Sequence, residues 1–209
     1  MHNIPIIYED EWLVVVDKPS GLLTIPTPKN EKRTLTSILN DDLTQKAVVY
    51  RLHPCHRLDR ETSGLVIYAK GKSIQQKMMD VFKARAVKKT YIAFVRGCPS
   101  KSEGEIKHPI EGQSALTKYK VISKKKDFSV VEVSPVTGRT NQIRIHFKQL
   151  GNPVIGETKF AFRKDFTVKA KRLCLHAHTL EFTHPVTHKP VRLTCDLPKD
   201  LEEFLAKHA

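Results

Sequence analysis

Apolar residues along this chain fall mostly in short runs of period two, broken by a few stretches of helical period, which predicts a mixed α+β chain richer in strand than in helix. Ile4 to Tyr8 and Trp12 to Val16 read as two strands around the acidic turn Glu9-Asp10-Glu11, and the breakers Lys18-Pro19-Ser20-Gly21 end the hairpin. After Thr34, a residue suited to an N-cap, Leu35, Ile38, Leu39 and Leu43 recur at helical spacing. Leu65 to Lys70 is apolar at nearly every position, as in a strand covered on both faces. A helix capped by Ser73 follows, with Ile74, Met78, Val81 and Phe82 as its apolar stripe. Tyr91 to Val95 is a strand closed by Gly97, and Thr117 to Ile122 pairs antiparallel with Phe128 to Val133 across the turn Lys124-Lys125-Lys126-Asp127. From Thr140 to Gly151 two periods compete. Ile143, Phe147 and Leu150 are spaced for a helix, Ile143, Ile145 and Phe147 for a strand, and the terminal glycine favours the helix. Strands Leu173 to Phe182 and Val191 to Asp196 flank the turn Thr183-His184-Pro185, and a short helix starts at Asp200. The expected architecture is α+β: a mixed, largely antiparallel central sheet flanked by helices.

With 209 residues and no repeat, low-complexity segment or linker, the chain is expected to form a single domain over residues 1–209. Charge narrows the partners. The 36 Lys and Arg against 22 Asp and Glu give a formal net charge of +14, which points to a polyanion rather than to an ordinary metabolite. Charge that serves solubility alone is the plainer alternative. No long apolar run or signal peptide is evident, so no membrane association is expected and the cytoplasm is the expected location. The four cysteines form no Cys-x-x-Cys pair and read as reduced thiols. His53 and His56, His176 and His178, and His184 and His188 are spaced for chelation, but no third ligand completes a set, so no metal is expected.

One stretch changes the picture. In a polar turn Asp59 alone would be a capping residue, but it lies within His56-Arg57-Leu58-Asp59-Arg60-Glu61-Thr62-Ser63-Gly64-Leu65, which resembles the active-site motif of RluA-type pseudouridine synthases. Three further blocks occur in that family's order. Tyr8-Glu9-Asp10 with Leu13 to Leu23 resembles its N-terminal segment, Lys89-Thr90-Tyr91-Ile92-Ala93 its tyrosine block, and Thr137-Gly138-Arg139-Thr140-Asn141-Gln142-Ile143-Arg144-Ile145-His146 its third motif. Asn141 departs from the pattern, since the family commonly has histidine there. The resemblance implies the pseudouridine synthase catalytic fold, in a compact form without the N-terminal S4 domain of larger relatives, and an isomerisation of uridine to pseudouridine in RNA that needs no cofactor.

The roles carried over follow the chemistry. The reaction breaks the C1′–N1 bond and joins C5 to C1′, for which one carboxylate suffices. The resemblance makes Asp59 that group, either adding covalently or removing a sugar proton toward a glycal. Arg144 matches the arginine that pairs with the carboxylate, where a positive charge favours ionisation; otherwise it would be a phosphate contact. Tyr91 matches the tyrosine that stacks on the target base, and would otherwise be an ordinary strand aromatic. The target must leave its stack, and Arg57 is expected to enter the vacated space, its plainer reading being a salt bridge that shapes the loop. Lys77, Lys83, Arg85, Lys124, Lys125 and Lys126 are expected to hold phosphates, unless they are simply solvated faces. The expected substrate is a short stem-loop of tRNA or rRNA, and the expected state a monomer. A non-catalytic RNA-binding protein, a base-releasing glycosidase and a structural ribosome-associated protein are the alternatives.

Overall fold

A computed structural model describes residues 4–162, 164 and 166–208. They form ten strands and four helices, in the order β1 (Ile6–Glu9), β2 (Leu13–Lys18), α1 (Leu35–Gln45), β3 (Leu52–Pro54), β4 (Ser63–Lys70), α2 (Lys72–Lys83), β5 (Lys88–Arg96), β6 (Glu103–Ile106), β7 (Thr117–Lys124), β8 (Phe128–Pro135), α3 (Gln142–Gln149), β9 (Leu175–Thr183), β10 (Pro190–Thr194) and α4 (Lys199–Lys207). The chain divides into two compact units, Met1–Lys88 with Thr179–Cys195, and Lys89–His178 with Asp196–Ala209. Every strand pairing inside either unit is antiparallel.

In the first unit β2 lies between β1 and β4, β3 pairs with β4, and β10 pairs with β9. The apolar run of β4 has the two covered faces its sequence predicts. Leu65, Ile67 and Ala69 pack with Leu13 and Val15 of β2 and Met78 of α2, and the stripe residues Ile74, Val81 and Phe82 rest on the same cluster. Helix α1 has the expected cap, reinforced by a capping box in which Thr34 and Ser37 bond reciprocally. Ser73 does not cap α2. The helix begins two residues earlier, at Lys72 after Gly71, whose φ of 109° lets the chain leave β4 without an intervening loop. His184 accepts the amides of Val186 and Thr187 on Nδ1, which leaves Nε2–H facing Asp10 Oδ2 at 3.1 Å. The Nδ1 bonds fasten the turn between β9 and β10.

In the second unit the strand order is β5-β8-β7-β6. Alternation along β5 sends Ala93 and Val95 to one face, where Ile143 and Phe147 of α3 cover them together with Val131 and Val133. Ile92 and Phe94 face the other side, where Leu201 and Phe204 of α4 and the buried Ala161, Phe166 and Val168 pack. The helical period of 140–151 therefore prevails over the strand period, because Ile143 and Phe147 must meet one sheet face. Two strands escape the sequence pattern. β3 is three residues ending in proline, and β6 contains Gly104, where the Tyr119 ring fills the space a side chain would need.

Candidate active site

Asp59 sits on the loop that enters β4, and its position follows from the pairing of β2 with β4. Register places Lys18, the last residue of β2, opposite Gly64 at the start of β4, so the segment after β2 runs beside the loop before β4. Leu58, Arg60 and Glu61 of the loop are then tied to that segment. Thr24 Oγ1 donates to the Leu58 carbonyl at 3.1 Å and accepts the Leu58 amide at 3.2 Å. The Gly21 amide donates to Arg60 O at 2.8 Å, Arg60 Nε returns a bond to Gly21 O, and Ser20 Oγ donates to Glu61 O at 2.6 Å. Lys18 is fully buried and its ammonium donates to the carbonyls of Pro19, Leu22 and Arg60. A buried ammonium costs far less when its N–H groups are satisfied in this way. Helix α1 anchors the segment in turn, since the amides of Leu35 and Thr36 donate to the carbonyls of Leu23 and Thr24. Leu58 and Thr62 are buried, Asp59 is half-buried and Arg57 is exposed. His56 accepts the Ile67 amide on Nε2 and packs on Phe82.

In the second unit the third motif forms α3 and the turn before it. Gln142 is the hub of that turn. Its Oε1 accepts from the Thr137 hydroxyl and the Arg139 amide, and its Nε2 donates to Leu116 O and Thr117 Oγ1. His146 donates from Nε2 to His108 O and so takes the Thr117 hydroxyl on Nδ1. Burial lowers its pKa, which keeps the ring neutral in this relay. Arg144 is 4 % exposed and clamped from two sides. Glu157 takes Nε at 2.6 Å and Nη2 at 2.8 Å, while Asn141 Oδ1 takes Nη1 at 2.9 Å. Asn141 has a left-handed backbone at φ 54° and gives the helix no side-chain cap, its oxygen being turned to the guanidinium instead. Glu157 Oε1 also accepts the amides of Thr158, Lys159 and Phe160. Burial by itself would raise the Glu157 pKa, but the hydrogen bond from Arg144 and those backbone amides outweigh it and hold the carboxyl below its ordinary value. Gly156 precedes it because a Cβ there would stand 1.9 Å from the Arg172 carbonyl. Tyr91 lies on β5 opposite Val133 and packs on the α3-side core.

A family model described as RNA pseudouridylate synthase matches residues 12–149. The chain belongs to that family. Within it the chain is of the RluA type and is thus an isomerase. It is 34 % identical to the dual-specificity RNA pseudouridine synthase RluA of Vibrio cholerae serotype O1 over 98 % of this chain and 88 % of that protein. It is 32 % identical to tRNA pseudouridine synthase C of the same organism, over 98 % of this chain and 95 % of the relative. Among solved structures, human RNA pseudouridylate synthase domain containing 4 superposes with a TM-score of 0.82 at 26 % identity, covering 97 % of this chain and 92 % of that one.

The residues singled out in this pseudouridine synthase fall into two sets. Arg57 and Asp59 share a loop of the first unit, where exposed Lys77 and Lys83 lie on α2 and exposed Arg85 follows it. Tyr91 and Arg144 belong to the second unit, with Lys124, Lys125 and Lys126 at the turn between β7 and β8. Lys83 is 3.4 Å from Asp80, an exposed pair worth little energy. Glu157 joins Arg144 in the structure, and Lys89 of the tyrosine block comes close to the turn before α3. Glu157 is thirteen positions beyond Arg144, a spacing that carries no local signal. Lys89 lies 3.8 Å from the place a side chain would occupy at Gly138, and burial lowers its pKa. Among the described residues no three His, Cys, Asp or Glu side chains gather as metal ligands, and no helix is long and apolar enough to cross a membrane.

Proposed function

We propose that this enzyme isomerises uridine to pseudouridine in a stem-loop of tRNA or rRNA, with Asp59 as the catalytic carboxylate and the whole of residues 1–209 acting as one catalytic domain. The observation that carries the reading is the motif His56 to Leu65 on a loop whose backbone is bonded on both sides of Asp59, at Leu58 and at Arg60. Pre-set backbone of this kind limits the reorganisation a reacting group must undergo. During the reaction C1′–N1 breaks, C5–C1′ forms, the C5 proton leaves and N1 regains one. Asp59 serves either by adding to the sugar or base or by taking the C2′ proton, and a C2′ deuterium isotope effect separates these routes.

Arg144 supplies the positive charge that keeps Asp59 ionised and directed. Tyr91 stacks on the extruded base and assists proton movement at C5, and Arg57 fills the space the base leaves. The relatives named for tRNA and for dual specificity on RNA support an RNA substrate. The protein acts as a cytoplasmic monomer. The test is Asp59→Asn, which keeps the size and removes the charge. Nucleotide-resolution mapping of RNA from cells carrying either form should show pseudouridine lost at the target, with RNA affinity largely kept. Substantial turnover by the pure variant would overturn the assignment.

A further inference from the structure

The segment that follows the Arg144 clamp is strongly basic. Residues 159–172 include Lys159, Arg163, Lys164, Lys169, Lys171 and Arg172 against the single acid Asp165. Its beginning is firmly placed: Glu157 holds three successive amides, and the Phe160 ring centroid lies 5.3 Å from Arg144 Cζ. Farther along, Ala161, Phe166 and Val168 are buried against the α4 side of the sheet. Phe162 stands between these anchors with 70 % of its surface exposed, and it is the one aromatic among the large hydrophobic side chains exposed in the described residues. Lys164 Nζ lies 5.6 Å from its ring centroid, and Lys159 Nζ 5.1 Å from that of Phe160. Keeping a Phe ring in water forgoes roughly 1.5–3 kcal/mol of burial, although Ala161 and Phe166 reach the core.

A flat π face beside ammonium groups is the pairing that holds unstacked nucleic acid, with bases on the ring and phosphates on the cations. A protein partner fits less well. It would have to desolvate the lysines, and one ring offers little of the roughly 800 Å² per side that a stable protein interface buries. We propose that Phe162 is a stacking platform for an unpaired base flanking the target uridine, with Lys159 and Lys164 on the adjoining phosphates. This deepens the function proposed above and rests on it for RNA as the partner. Phe162 follows Phe160 by two residues, about 7 Å of chain at most, so the platform lies close to Arg144.

The experiment uses an end-labelled RNA stem-loop with uridines in its loop and 2-aminopurine beside them. Binding is read by anisotropy and by 2-aminopurine quenching, and single-turnover isomerisation is measured at saturating protein. Phe162→Ala should weaken binding roughly 5- to 150-fold, the range expected for one lost base stack, remove the quenching, and leave the saturated rate within about twofold. Phe162→Trp should restore both readouts, whereas Phe162→Leu, apolar but without a π face, should not. Wild-type affinity in Phe162→Ala or Phe162→Leu would overturn the platform, as would a change confined to self-association. Binding that depends on Phe162 without any isomerisation would instead strike the function proposed above and leave the platform standing.

Discussion

Arg144 has a buried guanidinium whose orientation is set by two neighbours of different kinds. Glu157 supplies charge and a bidentate grip, Asn141 a single neutral acceptor. At position 141, where the family commonly has histidine, this chain carries an amide whose oxygen reaches the guanidinium. Glu157→Ala would take the bidentate carboxylate from a buried cation and should cost about 3–5 kcal/mol of stability, read as a fall in Tm. Asn141→Ala removes one hydrogen bond to a charged group, worth about 1.5–3 kcal/mol. It should lower the saturated rate at least several-fold with RNA affinity little changed; a loss confined to affinity would make Arg144 a phosphate contact. The sign of the pH effect follows from the lowered Glu157 pKa. Folding then draws stability from the ionised carboxylate above its unfolded value, about 4.3, and loses it as pH falls through the still lower folded value. A Tm profile should drop on acidification in the wild type and be flatter in Glu157→Gln.

At the scale of elements, the loop that carries Asp59 owes its shape to the segment after β2. Thr24 is a double link, since one hydroxyl satisfies both the amide and the carbonyl of Leu58. Thr24→Val keeps the volume and leaves two backbone groups buried and unpaired, a loss of about 1–3 kcal/mol for each such group. Thr34→Ala, which removes the α1 cap, should cost about 1 kcal/mol and serves as the control. We expect Thr24→Val to lower the single-turnover rate at saturating RNA by tenfold or more and Thr34→Ala to leave it unchanged. Equal rates in the two variants at a temperature where both are folded would show that the loop needs no such support.

At the scale of the whole molecule, a net charge of +14 governs encounter with RNA. Lys77, Lys83 and Arg85 are exposed in one unit, and Lys124 and Lys126 in the other. If these side chains meet phosphates, affinity must fall steeply with salt, because each contact releases a condensed counterion. Lys77→Ala should weaken binding to all RNA sequences alike and reduce the slope of log K against log salt by about 0.7–0.9. An unchanged slope would return Lys77 to the role of a solvated helix face. A short stem-loop containing the target should be modified about as efficiently as the full RNA, and disruption of its stem should abolish activity.

The strands from Leu65 and from Tyr91, the cap at Thr34 and the loop bearing Asp59 were all legible in the amino-acid order, because periodicity and turn chemistry record how each short segment meets water and core. The motif residues were legible for another reason, their unbroken run from His56 to Leu65. Short elements without a periodic signal were not: β3 and β6 exist because β4 and β7 offer them an edge, and Ser73 lost its cap to a glycine turn. The same limit applies to the polar partners. Thr24 and Leu58 are 34 positions apart, and Arg144 and Glu157 13 apart. Nothing local distinguishes Glu157 from an exposed acid. A buried charge takes whichever partner the fold brings to it, so only the packing of α3 against its sheet, and the course of the chain after it, decided what holds Arg144.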